Sequence, residues 1–165
     1  MTSIRLRAVS VDDADWIFRA CQDPDIQHWT TVPRPYTLDD ALFFTGDTTL
    51  EYRRWAIEDA ETSEPLGLVS IHGVQEDTGD ADIGYWVAPW GRGRSVGSAA
   101  VREMIDIVRT EEDIAALVAY VAAENSASQS VVRRAGFVDV ARQHGPARRD
   151  LELVPTIVFR RRLHH

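Results

Sequence analysis

The sequence predicts a mixed α/β fold, in which a largely antiparallel sheet carries helices on its faces. Its 165 residues suit a single domain, and 44% of them are apolar, as is usual for globular proteins. Strand-like and helix-like segments alternate along the chain without a repeat or low-complexity stretch. One strand is joined to a later strand through a helix, and a right-handed crossover of this kind makes two strands parallel. These three observations favour a mixed sheet.

The first part of the chain predicts one strand and two helices. Residues 4–9 alternate apolar and polar side chains, as a half-buried strand does. Asp12 or Asp13 can cap the first helix, and Thr37, with acidic residues after it, is typical of the start of the second. The helix faces are predicted to carry Trp16, Ile17, Ala20 and Cys21 in the first and Ala41, Leu42 and Phe44 in the second. Short turns are expected between them at Pro24, Pro33 and Pro35.

Three consecutive antiparallel strands are predicted next. Residues 54–58 and 66–72 are strand-like, and the turn-forming residues 61–65 between them favour a hairpin. A second turn at residues 76–80 leads into a strand over residues 81–88.

The pattern then changes to helices alternating with strands. Apolar residues recur at helical spacing over residues 95–110, and residues 115–121 form the continuous apolar run of a strand buried on both faces. A helix over residues 126–135 is predicted to end at Gly136. The last strands are predicted at residues 137–141 and 155–160.

Charge and cysteine content exclude several functions. The chain has 18 basic residues, all of them arginine, against 26 acidic residues, which gives a net charge of −8. Nucleic-acid binding needs a basic face, so the acidic balance argues against it. Schiff-base chemistry and a Walker-type phosphate loop both need a lysine, so the absence of lysine excludes them. The single cysteine, Cys21, permits no internal disulfide and is expected in the core. We find neither a long apolar run nor a signal-peptide core, so we expect a cytoplasmic protein without membrane partners.

The segment from Trp86 to Ala100 is the most informative about function. A strand ends there, a Gly/Arg-rich loop follows, and a helix begins, so the unpaired amides and the dipole of the helix form an anion site. Gly93 and Gly97 would let the backbone approach a ligand, and Arg92 and Arg94 would add charge suited to phosphate oxygens. The alternative interpretation is a plain turn with solvated arginines.

Several segments resemble one enzyme family. Residues 92–98 resemble the acyl-CoA pyrophosphate loop of the GNAT acetyltransferases, Gln/Arg-x-x-Gly-x-Gly/Ala. Residues 125–137 match Asn-x-x-Ser-x-x-Val-x-x-x-x-Gly-Phe, the form common in the RimJ/RimL-like branch, and residues 83–89 resemble that branch's strand before the loop. Residues 4–7 and 36–41 are also similar, so the resemblance covers nearly the whole chain.

This resemblance implies a GNAT-like fold in a single domain. The expected fold is a central, mostly antiparallel twisted sheet of about seven strands, with a parallel central pair and about four flanking helices. The domain is expected over residues 1–163, with residues 164–165 as a purification-tag remnant.

The resemblance also implies acetyl transfer from acetyl-CoA to a primary amine by direct attack in a ternary complex. Backbone groups of Trp86 and Val87 would pair with the pantetheine arm, the Val87 amide would stabilise the oxyanion, and the Asn125 side chain would contact the pantetheine. The implied acetyl-CoA-binding residues are Trp86, Val87, Arg92, Gly93, Arg94, Ser95, Val96, Gly97, Ser98, Asn125 and Ser128. We expect no metal, because no cluster of candidate ligands has the required spacing.

Four residues are candidates for the proton transfers. The attacking amine must lose a proton, and Asp82 is the first candidate base, acting through a water. His72 is the second candidate, since imidazole titrates near neutral pH, and Glu58 is the third. Ser128 could give a proton or a hydrogen bond to the leaving sulfur. Each could instead be structural: a solvated strand residue, a packing histidine or a helix-start serine.

The chain departs from the family pattern at two positions. Ser95 stands where the loop motif has its first glycine, and Val132 stands where a tyrosine general acid is frequent in the superfamily. The alternative functions are therefore a non-catalytic acyl-CoA-binding or sensor domain on the same fold, or a purely structural partner-binding domain.

The acceptor and the assembly stay open at this stage. The acceptor could be the α-amine of a protein N-terminus or a small amine such as a polyamine, an amino acid or an aminoglycoside. Trp29 and Trp90 are expected to flank its pocket, and residues 22–50 and 142–155 to build it. A homodimer is expected because dimers are common in this family.

Overall fold

The alternating segments of the chain fold into one sheet with helices on both of its sides. The computed structural model describes residues 2–46, 52–145 and 153–164. Within them the strands are β1 (Ile4–Ala8), β2 (Arg53–Asp59), β3 (Pro65–Val74), β4 (Asp80–Val87), β5 (Ala116–Ala122), β6 (Val138–Gly145) and β7 (Val154–Arg162). The helices are α1 (Ala14–Ala20), α2 (Pro24–Trp29), α3 (Leu38–Thr45), α4 (Val96–Val108) and α5 (Ser126–Arg134).

The seven strands described form a single sheet in the order β1-β2-β3-β4-β5-β7-β6. Every neighbouring pair is antiparallel except β4 and β5, which α4 joins as a parallel pair. The predicted mixed sheet with one parallel central pair is therefore confirmed.

Two apolar clusters lie on opposite sides of the sheet. We call the side that packs on α4 and α5 the α4 face; its core includes Val69, Ile83 and Leu117. We call the other side the α1 face, where Ala56 and Leu68 pack against α1 and α3. Because side chains alternate along a strand, neighbouring residues of β4 point to different faces.

The parallel strands β4 and β5 pair over only a short stretch. Their register joins Asp80 to Ala116, Ala81 to Leu117 and Asp82 to Val118, and it ends there. Beyond it, residues 83–87 remain paired with β3, and residues 119–122 remain paired with β7. We call the opening between these two segments the fork. It lies at the carboxyl ends of parallel strands, where open α/β sheets bind ligands.

Helix α2 was not predicted. Pro24 was interpreted as a turn residue, but it is the first residue of α2, where its missing N–H and fixed φ are tolerated. The side chain of Asp23 accepts a hydrogen bond from the Ile26 amide and caps the helix. The described chain therefore has five helices where about four were expected.

The predicted helix starts have different outcomes. Thr37 and Asp40 form a reciprocal capping box, so the predicted start of α3 is confirmed. Asp13 precedes α1 without capping it through its side chain, because that side chain bonds to Arg7 and to the Trp16 indole. The four predicted face residues of α1, Trp16, Ile17, Ala20 and Cys21, are all buried.

Strand β6 extends further than predicted, to Gly145 instead of residue 141. Its last residues are polar and give no strand pattern, but they pair with β7 through Gly145↔Val154. Parts of the expected acceptor-building segments, residues 47–51 and 146–152, lie outside the described residues.

Candidate active site

The loop before α4 has the backbone shape of an anion site. Gly93 and Ser95 both have positive φ, 74° and 58°, and Ser95 is the N-cap of α4. Successive amides around left-handed residues form a concave group of donors, and the amides and dipole at the helix start add to it. Ser95 therefore adopts a left-handed conformation that glycine takes without steric cost, at a cost of about 1 kcal/mol.

The two loop arginines are held by carboxylates of other elements. Arg92 Nη2 lies 2.5 Å from Asp23 Oδ2, which ties the loop to α2. Arg94 Nη2 lies 2.8 Å from Asp59 Oδ2, and Arg94 Nε donates to Thr2 Oγ1 at 3.0 Å. The hydrogen bond from Arg92 keeps the pKa of Asp23 below its ordinary value. In this structure the two arginines brace the loop, and their role toward phosphate stays a prediction.

The other predicted loop residues are buried at the start of α4. Val96, Gly97 and Ser98 belong to its first turn, so their N–H groups are the main-chain donors available to a phosphate. A Cβ at Gly97 would meet Val131, Tyr85 and Val87 at 3.6–3.7 Å. The missing side chain of Gly97 therefore faces the protein interior, not a ligand.

Along β4, alternate residues direct their main-chain N–H and C=O groups toward the fork. The Ala88 amide donates to the Leu66 carbonyl at 2.8 Å, on the β3 side. In an antiparallel ladder alternate residues face the neighbouring strand, so Trp86 also directs its N–H and C=O toward β3. The Val87 N–H, the predicted oxyanion donor, faces the fork, and so does the main chain of Tyr85.

The start of α5 brings three polar groups together on the α4 face. Asn125 caps the helix, with its Oδ1 accepting from the Ser128 amide at 3.2 Å. Ser128 Oγ lies 2.6 Å from the Tyr85 hydroxyl, which reaches it from β4. Burial raises the pKa of Tyr85 to about 12. Sequence reasoning missed Tyr85, since only the packing of β4 against α5 reveals its contact with Ser128.

The first two candidate bases form a pair. His72 Nδ1 lies 3.5 Å from Asp82 Oδ2 on the α1 face. His72 occupies a β-bulge between Ile71 and Gly73, and its ring lies over Gly84, whose Cβ would be 2.5 Å from His72 Cε1. The side chains of His72 and Asp82 are 42% and 44% exposed, so water can reach both.

The pair lies at the base of the fork. Asp82 is the last residue of β4 that pairs with β5, opposite Val118. Tyr120 is two residues further along β5 and therefore on the same face as Val118. Burial and the charge of Asp82 raise the pKa of Tyr120. The α1 face of the fork thus combines an imidazole, a carboxylate and a phenol.

Glu58, the third candidate base, is engaged elsewhere. Its carboxylate accepts hydrogen bonds from Arg5 Nε at 2.5 Å and Arg7 Nε at 2.7 Å. Burial alone would raise the pKa of Glu58, but its hydrogen bonds with the two arginines outweigh burial and lower it. A carboxylate so stabilised as an anion is a poor base, so these contacts favour a structural role for Glu58.

A cavity of about 200 Å³ lies at the carboxyl end of β5. It is lined by Trp29, Ala122, Glu124, Val154 and Pro155. Trp29 is therefore positioned as expected for a pocket residue. Trp90 is not among the lining residues, because its indole donates to the Pro65 carbonyl at 2.7 Å and packs under Arg19.

No group of three or more potential metal ligands is assembled in residues 2–46, 52–145 and 153–164. In the same part of the chain, none of the helices combines the length and apolar character needed to cross a membrane.

Comparison with known proteins identifies relatives along most of the chain. A family model described as an acetyltransferase (GNAT) domain matches residues 3–138. A protein of Bacillus licheniformis named uncharacterized N-acetyltransferase p20 is 28% identical over 142 residues, which are 81% of this chain and 78% of that protein.

Two solved structures share the fold. RimL, a ribosomal L7/L12 α-N-protein acetyltransferase in complex with coenzyme A, has a TM-score of 0.86 at 18% identity, over 98% of this chain and 95% of RimL. A spermidine N-acetyltransferase from Vibrio cholerae, bound to CoA and spermine, has a TM-score of 0.78 at 19% identity, over 97% and 95% of the two chains.

Proposed function

This chain belongs to the GNAT acetyltransferase family, and on that premise we propose which of its residues transfer the acetyl group and what kind of amine receives it. The donor is acetyl-CoA, and the reaction is transfer of its acetyl group to an amine. The observation that carries the proposal is the fork, which has backbone donors at its edge and a proton-accepting pair at its base.

Acetyl-CoA would bind along the edge of the fork. Its pyrophosphate would accept hydrogen bonds from the amides of residues 93–98, a role supported by the left-handed residues of the loop. The pantetheine arm would pair with the main chain of Tyr85 and Val87, as an added strand does. The thioester carbonyl would then accept from the Val87 N–H as negative charge develops on its oxygen.

The His72–Asp82 pair would accept the proton of the amine. An amine is mostly protonated at neutral pH, and it attacks only after deprotonation. The pair is exposed, which supports proton transfer through a water molecule. The free amine then attacks the thioester carbon, the nitrogen gives up its second proton to the same pair or to water, and the tetrahedral intermediate expels the sulfur as a thiolate. Holding both reactants in the fork supplies much of the rate.

The acceptor would be a cationic amine that binds in the cavity beside β5. The Glu124 carboxylate attracts positive charge, and the face of an indole such as Trp29 attracts cations. The net charge of −8 supports the same preference. Both the protein α-amine and the polyamine named for the two solved relatives meet this description, so both belong in the test.

Calorimetric titration with acetyl-CoA and CoA is the first test. We expect micromolar binding of both ligands, followed by acetylation of amines from a panel of peptide N-termini, spermidine, amino acids and aminoglycosides. Glu124→Gln should raise the KM for the acceptor and leave the KM for acetyl-CoA unchanged. An absence of binding up to millimolar concentration would overturn the assignment of the loop and fork.

A non-catalytic CoA-binding domain is the alternative function. It depends on Ser95 disabling the loop, whereas the positive φ of 58° at Ser95 is a conformation that glycine also adopts, which supports an intact loop. The absent tyrosine at Val132 does not favour it either, because Val132 is fully buried and a phenol reaches α5 from Tyr85 instead.

We also propose that the enzyme acts in the cytoplasm as a homodimer. Two features support the cytoplasmic location. Acetyl-CoA is an intracellular metabolite, and the single cysteine, Cys21, is buried and forms no disulfide, as is usual in a reducing compartment. Cell fractionation tests the location. Light scattering on the purified protein tests the dimer, and a monomeric mass at assay concentrations would contradict it.

A further inference from the structure

The hydroxyl of Tyr85 makes the shortest polar contact of the α4 face of the fork. It lies 2.6 Å from Ser128 Oγ and 3.3 Å from the Ser128 carbonyl oxygen. The ring reaches Ser128 by passing Gly97, since a Cβ on that glycine would be 3.7 Å from Tyr85 Cε2. A tyrosine of the sheet is thus bonded to the serine that the sequence singled out for the leaving sulfur.

The two hydroxyl groups hold two protons, and the distances allow two arrangements of them. The Tyr85 proton can go to Ser128 Oγ, 2.6 Å away, or to the Ser128 carbonyl, 3.3 Å away. The contact of 2.6 Å is a short O–H···O hydrogen bond in which either hydroxyl can donate. When Tyr85 is the donor, the proton of Ser128 is left to point elsewhere.

Two further features are compatible with Tyr85 as the donor. Burial raises the pKa of Tyr85 to about 12, so the phenol keeps its proton at neutral pH. The main chain of Ser128 is held by Asn125, whose Oδ1 accepts from the Ser128 amide at 3.2 Å.

We propose that Tyr85 donates to Ser128 Oγ and is thereby a positioning residue that orients the Ser128 hydroxyl toward the sulfur of CoA. This inference rests on the proposed function. The amine nitrogen bonds to the acetyl carbon, the C–S bond breaks, and sulfur leaves with the electron pair. The nitrogen proton departs through the His72–Asp82 pair to water. The thiolate accepts a hydrogen bond from Ser128 and is protonated by solvent, while Tyr85 keeps its own proton.

The first test measures binding without any acceptor. Calorimetry at pH 9 compares CoA, whose thiol is then partly ionised, with desulfo-CoA, which lacks the sulfur. We expect the wild type to bind CoA more tightly than desulfo-CoA. In Tyr85→Phe and in Ser128→Ala the ratio of the two affinities should fall about tenfold, because a hydrogen bond to a charged group is lost. Tyr36→Phe, which removes another buried phenol hydroxyl on the α1 face, should leave this ratio unchanged.

Other binding results separate the possible failures. If Tyr85→Phe weakens CoA and desulfo-CoA equally, or if wild type has no preference, Tyr85 is only a structural residue and the inference is overturned. If wild type binds neither ligand, the proposed function itself has failed.

A double-mutant cycle provides the kinetic test. Tyr85→Phe should lower kcat about tenfold and leave the KM for acetyl-CoA unchanged, since the charge on sulfur develops only in the transition state. Adding Tyr85→Phe to Ser128→Ala should lower kcat no further, because Tyr85 acts through Ser128. Multiplied losses would mean that the two residues act independently and would overturn the inference.

Discussion

The two faces of the fork differ in their access to water. On the α1 face the His72–Asp82 pair has side chains that are 42% and 44% exposed. On the α4 face the Tyr85–Ser128 contact is part-buried between β4 and the first turn of α5, and burial raises the pKa of Tyr85 to about 12. A proton leaving the amine needs a route to solvent, whereas a developing thiolate is stabilised best by a fixed donor away from competing water.

A second contrast separates two carboxylates on the same side of the sheet. Asp82 is exposed and lies beside His72 at the base of the fork. Glu58 is buried and bonded to Arg5 and Arg7. Asp82 is open to water, whereas the Glu58 carboxylate holds β2 to β1 through the two arginines. The two carboxylates therefore have different surroundings on one side of the sheet.

The largest expected effect is on catalysis at Asp82. Asp82→Asn should lower kcat by about 10²–10³-fold at neutral pH, because general-base assistance is lost. Calorimetry should give an unchanged affinity for acetyl-CoA. Asp80→Asn is the matched control, since Asp80 is two residues earlier on β4 and pairs with Arg160 at 2.8 Å. Equal losses in the two variants would remove Asp82 from the mechanism.

The next effect is on stability at Glu58. Glu58→Gln should lower the free energy of unfolding by about 2 kcal/mol at pH 7, because it removes an anion that two arginines stabilise. The turnover rate of the folded enzyme should be unchanged. Urea unfolding and steady-state assays measure the two quantities. A lower kcat in a fully folded variant would return Glu58 to the list of bases.

The stability difference at Glu58 should depend on pH. The pKa of Glu58 is lowered by folding, so its contribution is fully present above the ordinary carboxyl value of 4.5 and is lost as the pH falls through the lower, folded-state value. Wild type and Glu58→Gln should therefore converge in stability on acidification. A constant difference down to pH 3 would contradict the assignment.

A smaller effect is expected when His72 is displaced without being mutated. A Cβ at Gly84 would lie 2.5 Å from His72 Cε1, so Gly84→Ala must push the imidazole away from Asp82. We expect kcat to fall about tenfold, at the low end for acid–base groups because Asp82 remains. The melting temperature should change little, since the displaced ring is partly exposed. Gly73→Ala is the control, because its Cβ would have no atom within 4 Å.

The smallest expected effect is at the phosphate loop. Ser95→Gly should stabilise the fold by about 1 kcal/mol, because glycine adopts positive φ without the steric cost of a Cβ. The affinity for acetyl-CoA should stay within about twofold of wild type, since the backbone shape is already that of the family motif. Ser63→Gly, at φ 64° in the turn after β2, controls for strain relief away from the loop. A large gain in acetyl-CoA affinity in Ser95→Gly alone would mean that serine distorts the loop.

The sequence by itself determined most of the fold. Strand alternation, the buried run of β5 and the amphipathic pattern of α4 are local signals, and they predicted the seven strands and the parallel central pair. The Thr37–Asp40 capping box and the Gly/Arg-rich loop before α4 could also be predicted, because their interacting groups are close in sequence.

Tertiary structure alone decided how the site is assembled. Asp23 and Asp59, the partners of Arg92 and Arg94, lie 69 and 35 residues away in sequence, so no local pattern reveals them. The bulge that brings His72 to Asp82 depends on the register between β3 and β4. The contact of Tyr85 with Ser128 depends on how α5 packs on the sheet. Periodicity identifies the face of a residue, but a hydrogen-bond partner is chosen by distance in space, which only the packed chain defines.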